Sequence, residues 1–250
     1  MKIALENDID TELEVGRGYS LAFCLEKSEL EKILDMIHAQ WIERVREKYP
    51  ENYQQFSEIG IARYHELAHL IDHGSTWVKE ARIFSKQTAA QIKQMSFIRK
   101  IEEKYGPIEI VDEENIGYEE FDWRLVRPNH PSDVGPFHAD IWFRRLGHGV
   151  NPPKNLKAIK VWVALCCEPG KNGLLVVPHS QKQEWRYHGE FRHGFVKPQI
   201  DEDVTQLPTA LLNTRPGDAV VFHEKLLHAG ALNRGKYTRI SMEFMVFVRK

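Results

Sequence analysis

Arg215-Pro216-Gly217-Asp218-Ala219-Val220-Val221-Phe222-His223-Glu224-Lys225-Leu226-Leu227-His228-Ala229-Gly230 is the stretch that decides the fold class. A turn cluster at 215–218 delivers the chain into an apolar run of strand length at 219–222. The same texture extends outward on both sides. Short apolar or alternating runs predict strands at 109–111, 121–126, 157–166, 174–177 and 238–248. Between them lie Arg127-Pro128-Asn129, Asn151-Pro152-Pro153 and Pro169-Gly170-Lys171-Asn172-Gly173, each a turn signal. Many short strands so punctuated favour a jelly-roll sandwich over a parallel α/β sheet.

The first hundred residues read as helices. Ser28 with Glu31 makes a capping box, and Leu30, Ile33, Leu34, Ile37, Trp41 and Val45 then recur at helical spacing up to Pro50. A second helix is predicted over 54–72, ending at Gly74. A third is predicted over 86–105, with Ile92, Met95, Ile98 and Ile101 on one face and a stop at Gly106-Pro107. The chain is mainly β with α: residues 1–107 form a mostly helical buttress and residues 108–250 the β core. No linker separates them, so one domain over 1–250 is the expectation.

Hydrophobic residues make up 42% of the chain, enough for a sizeable core. The formal charge of −2, from 34 basic and 36 acidic residues, offers no case for nucleic acid or an anionic membrane. Cys24, Cys166 and Cys167 are too few for a disulfide framework, which points to a reducing compartment. The start, MKIALENDID, lacks a signal-peptide core, and no apolar run nears the roughly 18 residues of a membrane span. A soluble, cytoplasmic protein is expected. Eight of the twelve histidines lie between His130 and His228, which directs the search for chemistry to the β half.

Two metal motifs compete. His65-Glu66-Leu67-Ala68-His69 fits the H-E-x-x-H pattern of zinc peptidases, in which a helix presents two histidines on one face. Its weakness is a third ligand: His73 lies about 12 Å along the axis from His65, too far to share one ion at bond lengths of about 2.1 Å. The ordinary reading is an amphipathic helix carrying polar histidines. The quieter constellation begins at Gly135-Pro136-Phe137-His138-Ala139-Asp140, where His138 and Asp140 share a side if the segment is extended. His228 supplies a second imidazole from another strand. Two histidines and one carboxylate leave three positions open on an octahedral ion, which suits iron(II) that must bind a chelating co-substrate and dioxygen. Arg239, with Ser241 on the same strand face, offers a planar fork for a carboxylate. An inward arginine is costly without an anion, and the dicarboxylate 2-oxoglutarate fits that requirement.

His138-Ala139-Asp140, the run 174–180, Gly217-Asp218-Ala219-Val220-Val221-Phe222-His223, the run 228–233 and Arg239-Ile240-Ser241 together resemble the phytanoyl-CoA dioxygenase-like branch of the iron(II)/2-oxoglutarate oxygenases. The resemblance spans roughly residues 118–248. It implies a double-stranded β-helix core of the cupin kind, with His138, Asp140 and His228 as iron ligands, Arg239 and Ser241 as the co-substrate anchor, and Trp162 on the co-substrate wall. It implies hydroxylation with release of succinate and carbon dioxide, since related halogenases have a small residue where Asp140 stands. One departure is Pro178-His179-Ser180-Gln181, where the family usually reads P-G-S-H. The chain ends Val248-Arg249-Lys250 without a peroxisomal address, so phytanoyl-CoA itself is not the expected substrate.

The substrate expectation is a small polar metabolite, anionic or carrier-bound. Arg124 and Arg127 flank the metal motif. Arg186 and Arg192 lie in a basic, aromatic segment at 181–197 that could form a lid. The rival readings are a zinc peptidase acting through His65, Glu66 and His69, and a non-catalytic ligand-binding member of the fold.

Overall fold

The computed structural model describes residues 8–192 and 195–250. Helix α1 (Ile9–Glu14) leads into strand β1 (Tyr19–Cys24). Helices α2 (Lys27–Lys48), α3 (Tyr53–Ile59), α4 (His73–Thr76), α5 (Lys86–Lys93) and α6 (Ser96–Tyr105) follow. Then come β2 (Glu109–Ile110), β3 (Asp122–Val126), α7 (Asp140–Arg145), β4 (Leu156–Cys166) and β5 (Leu174–Val176). The chain continues through β6 (Tyr187–Arg192), β7 (Phe195–Ile200), β8 (Ala210–Leu211), β9 (Asp218–His223), β10 (His228–Gly230) and β11 (Arg239–Arg249).

Alternation along β11 organises the molecule. Ile240, Met242, Phe244, Val246 and Val248 face outward from the main sheet. They join Ile159, Val161 and Val163 of β4 and Val221 of β9 against Ile33, Ile37 and Trp41 of α2 and Phe97, Ile98 and Ile101 of α6. Each such side chain contributes about 1.5–3 kcal/mol by leaving water, so this face holds the helices to the sheet. The main sheet runs β1-β9-β4-β11-β2 with β3 also on β11, all antiparallel. Across the sandwich, the sheet β10-β5-β8 presents Leu174 and Val176, which meet Trp162, Ala164, Val220 and Phe222 from the inner face. The two stacked sheets are the jelly roll that the strand pattern predicts.

Several local expectations change. The capping box at the start of α2 uses Glu26 and Glu29 in place of Ser28 and Glu31. The helix predicted over 54–72 ends at Gly60, whose φ of +73° no helix accommodates. Beyond it Ile61–Glu66 and Ala68–Leu70 are 3₁₀ turns. The helix predicted over 86–105 divides at extended Met95, yet Ile92, Met95, Ile98 and Ile101 are all buried. The N-terminal part is not all helix, because β1 pairs with β9 at the edge of the main sheet. The basic segment read as a loop holds β6, paired antiparallel to β7.

Trp41 is fully buried and meets Phe56 and Tyr64 edge-on, with ring centroids 6.0 and 6.2 Å away. Trp41→Ala should therefore cost about 3–5 kcal/mol, read as a lowered midpoint in chemical denaturation.

Candidate metal centre

His138 lies just before α7 and pairs with the first residue of β10. The His138 N–H donates to the His228 carbonyl at 3.0 Å, and the His228 N–H donates back at 2.9 Å. Residues that exchange both bonds lie directly opposite, so the two imidazoles project on one side, with ring centroids 4.4 Å apart. Ala139 is the last extended residue, and Asp140 opens α7 rather than continuing a strand. Its Oδ1 lies 3.8 Å from His228 Nε2, and its Oδ2 is buried without a hydrogen-bond partner. Ligand atoms of His138, Asp140 and His228 all lie within 4.8 Å of one another, and no other such cluster occurs among the described residues.

Each histidine is oriented by the carbonyl two residues before it. His138 Nδ1 lies 2.9 Å from the Pro136 oxygen, and His228 Nδ1 lies 3.0 Å from the Leu226 oxygen. A carbonyl only accepts, so both Nδ1 atoms carry protons and both Nε2 lone pairs are free for a metal. Burial, helped by the neighbouring His228 ring, holds the His138 imidazole down at about 4. Two neutral imidazoles beside an orphaned carboxylate oxygen fit iron(II) with open positions.

Arg239 is 2% exposed at the start of β11. Its Nη1 lies 3.4 Å from Ser241 Oγ, its Nε has no partner, and no carboxylate forms an ion pair with it among the described residues. Burial, and then nearby Arg124, lower its pKa to about 10. The Trp162 ring lies 5.8 Å from the guanidinium carbon. Gly230 faces it, where a Cβ would come within 3.6 Å of Nη2. A buried guanidinium without an ion-pair partner has the chemistry to receive a carboxylate, and the distal carboxylate of 2-oxoglutarate would fit it.

The structure thus gathers His138, Asp140, His228, Arg239, Ser241 and Trp162, with Arg124 near enough that His138, Asp140 and Arg239 each feel its charge. It does not gather the other arginines. Arg127 is bidentate to buried Asp133, at 2.9 and 2.8 Å. Arg186 is 81% exposed and pairs with Glu202. Arg192 belongs to β6, but its side chain lies outside the described residues. Lys160 of β4 and Glu243 of β11, on the same sheet face as Trp162, were not singled out from sequence. The signal for them was charge at inward positions of apolar strands.

The H-E-x-x-H motif has another use. On 3₁₀ turns its histidines lack the helical i, i+4 geometry a zinc peptidase requires. Glu66 is held by Arg63 at 2.7 Å through both oxygens, and His65 Nδ1 lies 3.0 Å from Thr238 Oγ1, next to Arg239. His73 accepts at Nδ1 from Tyr64 Oη, which itself accepts from Trp77, and its Nε2 faces Asp133 at 3.5 Å. These contacts anchor the 127–133 loop that leads to His138. In Pro178-His179-Ser180-Gln181, His179 adopts φ +68°, the conformation that glycine takes most cheaply. Its Nδ1 bonds the Gly16 carbonyl at 2.8 Å, and the buried Gln181 amide donates to Leu13 and Gly16. The departure therefore clasps the turn between α1 and β1.

Two predictions follow from burial. His73 and His138 both have pKa values of about 4 in the fold, against about 6.5 in an unfolded chain. The unfolded state then binds more protons, so stability is full above about 6.5 and falls as pH drops toward about 4. Urea midpoints of the metal-free protein should be lower at about pH 5 than at about pH 7. Arg239→Met should leave the metal-free protein unchanged or up to about 4 kcal/mol more stable, while 2-oxoglutarate ceases to raise its melting temperature.

A profile of the family described as phytanoyl-CoA dioxygenase matches residues 21–241. No curated protein matches the chain in a sequence search. Among solved structures, the non-haem monooxygenase ThoJ in its apo form superposes with a TM-score of 0.59 at 15% identity, over 97% of this chain and 77% of its own. The α-ketoglutarate-dependent carbocyclase SnoK of nogalamycin biosynthesis gives 0.57 at 16%, over 97% and 84%. EctD from S. alaskensis, bound to 2-oxoglutarate and 5-hydroxyectoine, gives 0.54 at 12%, over 99% and 78%. At these identities the likeness establishes the shared fold, and the profile match over most of the chain establishes the family. The chain belongs to the phytanoyl-CoA dioxygenase family of iron(II)- and 2-oxoglutarate-dependent oxygenases.

Proposed function

We propose that this single-domain oxygenase hydroxylates a small polar or anionic metabolite. In this reading His138, Asp140 and His228 hold the iron, and Arg239 with Ser241 holds the co-substrate. The observation that carries it is buried Arg239, without an ion-pair partner and facing Gly230, two residues beyond His228 of the triad. Free Cys24, Cys166 and Cys167 support a reducing, cytoplasmic setting. No helix among the described residues is long and apolar enough to cross a membrane.

When bound, iron(II) and 2-oxoglutarate supply dioxygen activation and oxidation of a substrate C–H bond, with succinate and carbon dioxide as co-products. The chain's own part is positioning. His138 and His228 offer Nε2 while the Pro136 and Leu226 carbonyls keep the Nδ1 protons in place. Asp140 offers a carboxylate with an uncommitted oxygen. Arg239 and Ser241 fix the far end of the co-substrate, and the Trp162 and Phe222 rings wall its cavity against water. The Asp140 carboxylate supports hydroxylation, because it occupies the ligand position that a halide would need.

Anaerobic addition of iron(II) and 2-oxoglutarate should produce a weak visible charge-transfer band that requires both. The band should vanish in His138→Ala and need far more 2-oxoglutarate in Arg239→Ala. A folded wild-type protein without the band would reject the assignment. Once a substrate is in hand, a product heavier by one oxygen atom supports hydroxylation. A product lighter by two hydrogens supports cyclisation or desaturation.

A further inference from the structure

The inner face of the main sheet carries charges that iron and 2-oxoglutarate leave unused. The register puts Arg124 of β3 opposite Ser241, and Glu243 opposite both Asp122 and Trp162. Lys160 of β4 lies opposite Met245. The array therefore starts beside the co-substrate anchor and continues deeper into the sandwich. Arg124 Nε donates to Glu243 Oε1 at 2.6 Å, and Lys160 Nζ donates to Glu113 Oε2 at 2.8 Å. From α7, Arg144 pairs with Glu224 and reaches Met245 Sδ at 3.7 Å. Glu243 and Lys160 are nearly enclosed, with side chains 15% and 8% exposed.

Arg124 differs. It faces inward from a strand flanked by buried Trp123 and Leu125, yet its side chain is 46% exposed. That combination marks a solvent-filled cleft reaching the sheet beside the metal triad. Its Nε is committed to Glu243, while its terminal amino groups make no hydrogen bond among the described residues. Charges beneath the cleft nearly cancel. Lys79, Arg82, Arg124 and Lys160 are linked by ion pairs to Glu113, Glu114, Glu120, Asp122 and Glu243, four bases against five acids.

An alkyl chain laid on this floor would strip water from the ion pairs and return nothing. A dianion would find one cation with free donors and a surplus acid beside it. A molecule with both signs of charge satisfies each side: a carboxylate meets the open Arg124 amino groups, and an ammonium meets the Glu243 carboxylate bonded to the same arginine. Because Arg124 and Glu243 are in direct contact, the ligand's two charges must lie a few bonds apart. We propose that Arg124 and Glu243 form the substrate-binding floor and that the substrate is a compact zwitterion of the amino-acid kind. This inference rests on the oxygenase assignment above.

The test uses wild-type protein loaded anaerobically with iron(II) and 2-oxoglutarate, with the visible band followed as probes are added. The probes are the individual proteinogenic amino acids, decanoyl-CoA and glucose. At least one amino acid should shift the band and raise the melting temperature of the loaded protein. Glu243→Gln and Arg124→Lys should each still form the band but bind that amino acid about tenfold or more weakly, the scale of one charge-assisted hydrogen bond. A response to decanoyl-CoA or glucose alone, or to no probe, would overturn the proposal. So would loss of the band itself in Arg124→Lys, which would place Arg124 on the co-substrate. Failure of the wild-type protein to form the band at all would instead remove the oxygenase assignment, so the two failures are distinguishable.

Discussion

The centre depends on one pair of backbone hydrogen bonds, those exchanged between His138 and His228. They join a loop that follows β3 to the edge of β10, and nothing else in the local sequence brings these imidazoles together. Strand geometry allows no intermediate result, because a slip of one residue would turn either ring to the opposite face. The register thus sets both imidazoles at once. Each ring is then held by the carbonyl two residues earlier, and the change from extended chain to helix after Ala139 turns the Asp140 carboxylate back toward His228.

The main sheet supports this pairing by keeping two different faces. Its outer face is a continuous apolar layer against α2 and α6, where dispersion and water exclusion hold the N-terminal helices. Its inner face mixes Trp162, Val220 and Phe222 with Arg239, Arg124, Glu243 and Lys160. A sandwich interior of that composition is poorly self-sufficient. The outer face gives the larger apolar cluster, and the inner face combines a smaller one with the charged groups. The Arg127–Asp133–His73 contacts belong to the same division of labour, since they tie the loop before His138 to the helical layer.

The grouping of His138, Asp140 and His228 was readable from the motif, with Arg239 one strand beyond His228, but the period-two reason does not hold: Asp140 reaches the group from the first turn of α7. The strand-rich half was legible from its turns. The rest was hidden for identifiable reasons. Gly60 interrupts a pattern that is otherwise helical, and apolar periodicity does not register one positive φ. Strand β10 has three residues and takes its place from pairing with β5, a non-local contact. The segment at 187–200 carries Gly189, Pro198 and many charges, which reads as loop, although Tyr187 stacks on Trp142 of α7 at 4.5 Å. In β11, Arg239, Ser241 and Glu243 alternate with apolar residues. From sequence alone that pattern describes a strand with its polar side in water. Here the polar side is the interior.

Two of the buried groups left without partners belong to the candidate site. Arg239 Nε and Asp140 Oδ2 are both orphaned; Asp140 lies beside His228, and Arg239 lies against Gly230 two residues beyond it. A fold selected for stability alone would replace a lone buried arginine by an apolar side chain. It would also not place a carboxylate at the start of α7 with one oxygen unsatisfied. Under the proposed function, each would be relieved by a ligand of the matching kind, a metal for Asp140 and an anion for Arg239. One molecule that chelates the metal and ends in a carboxylate would relieve both. That shared requirement connects the metal centre to the arginine more firmly than either motif does alone.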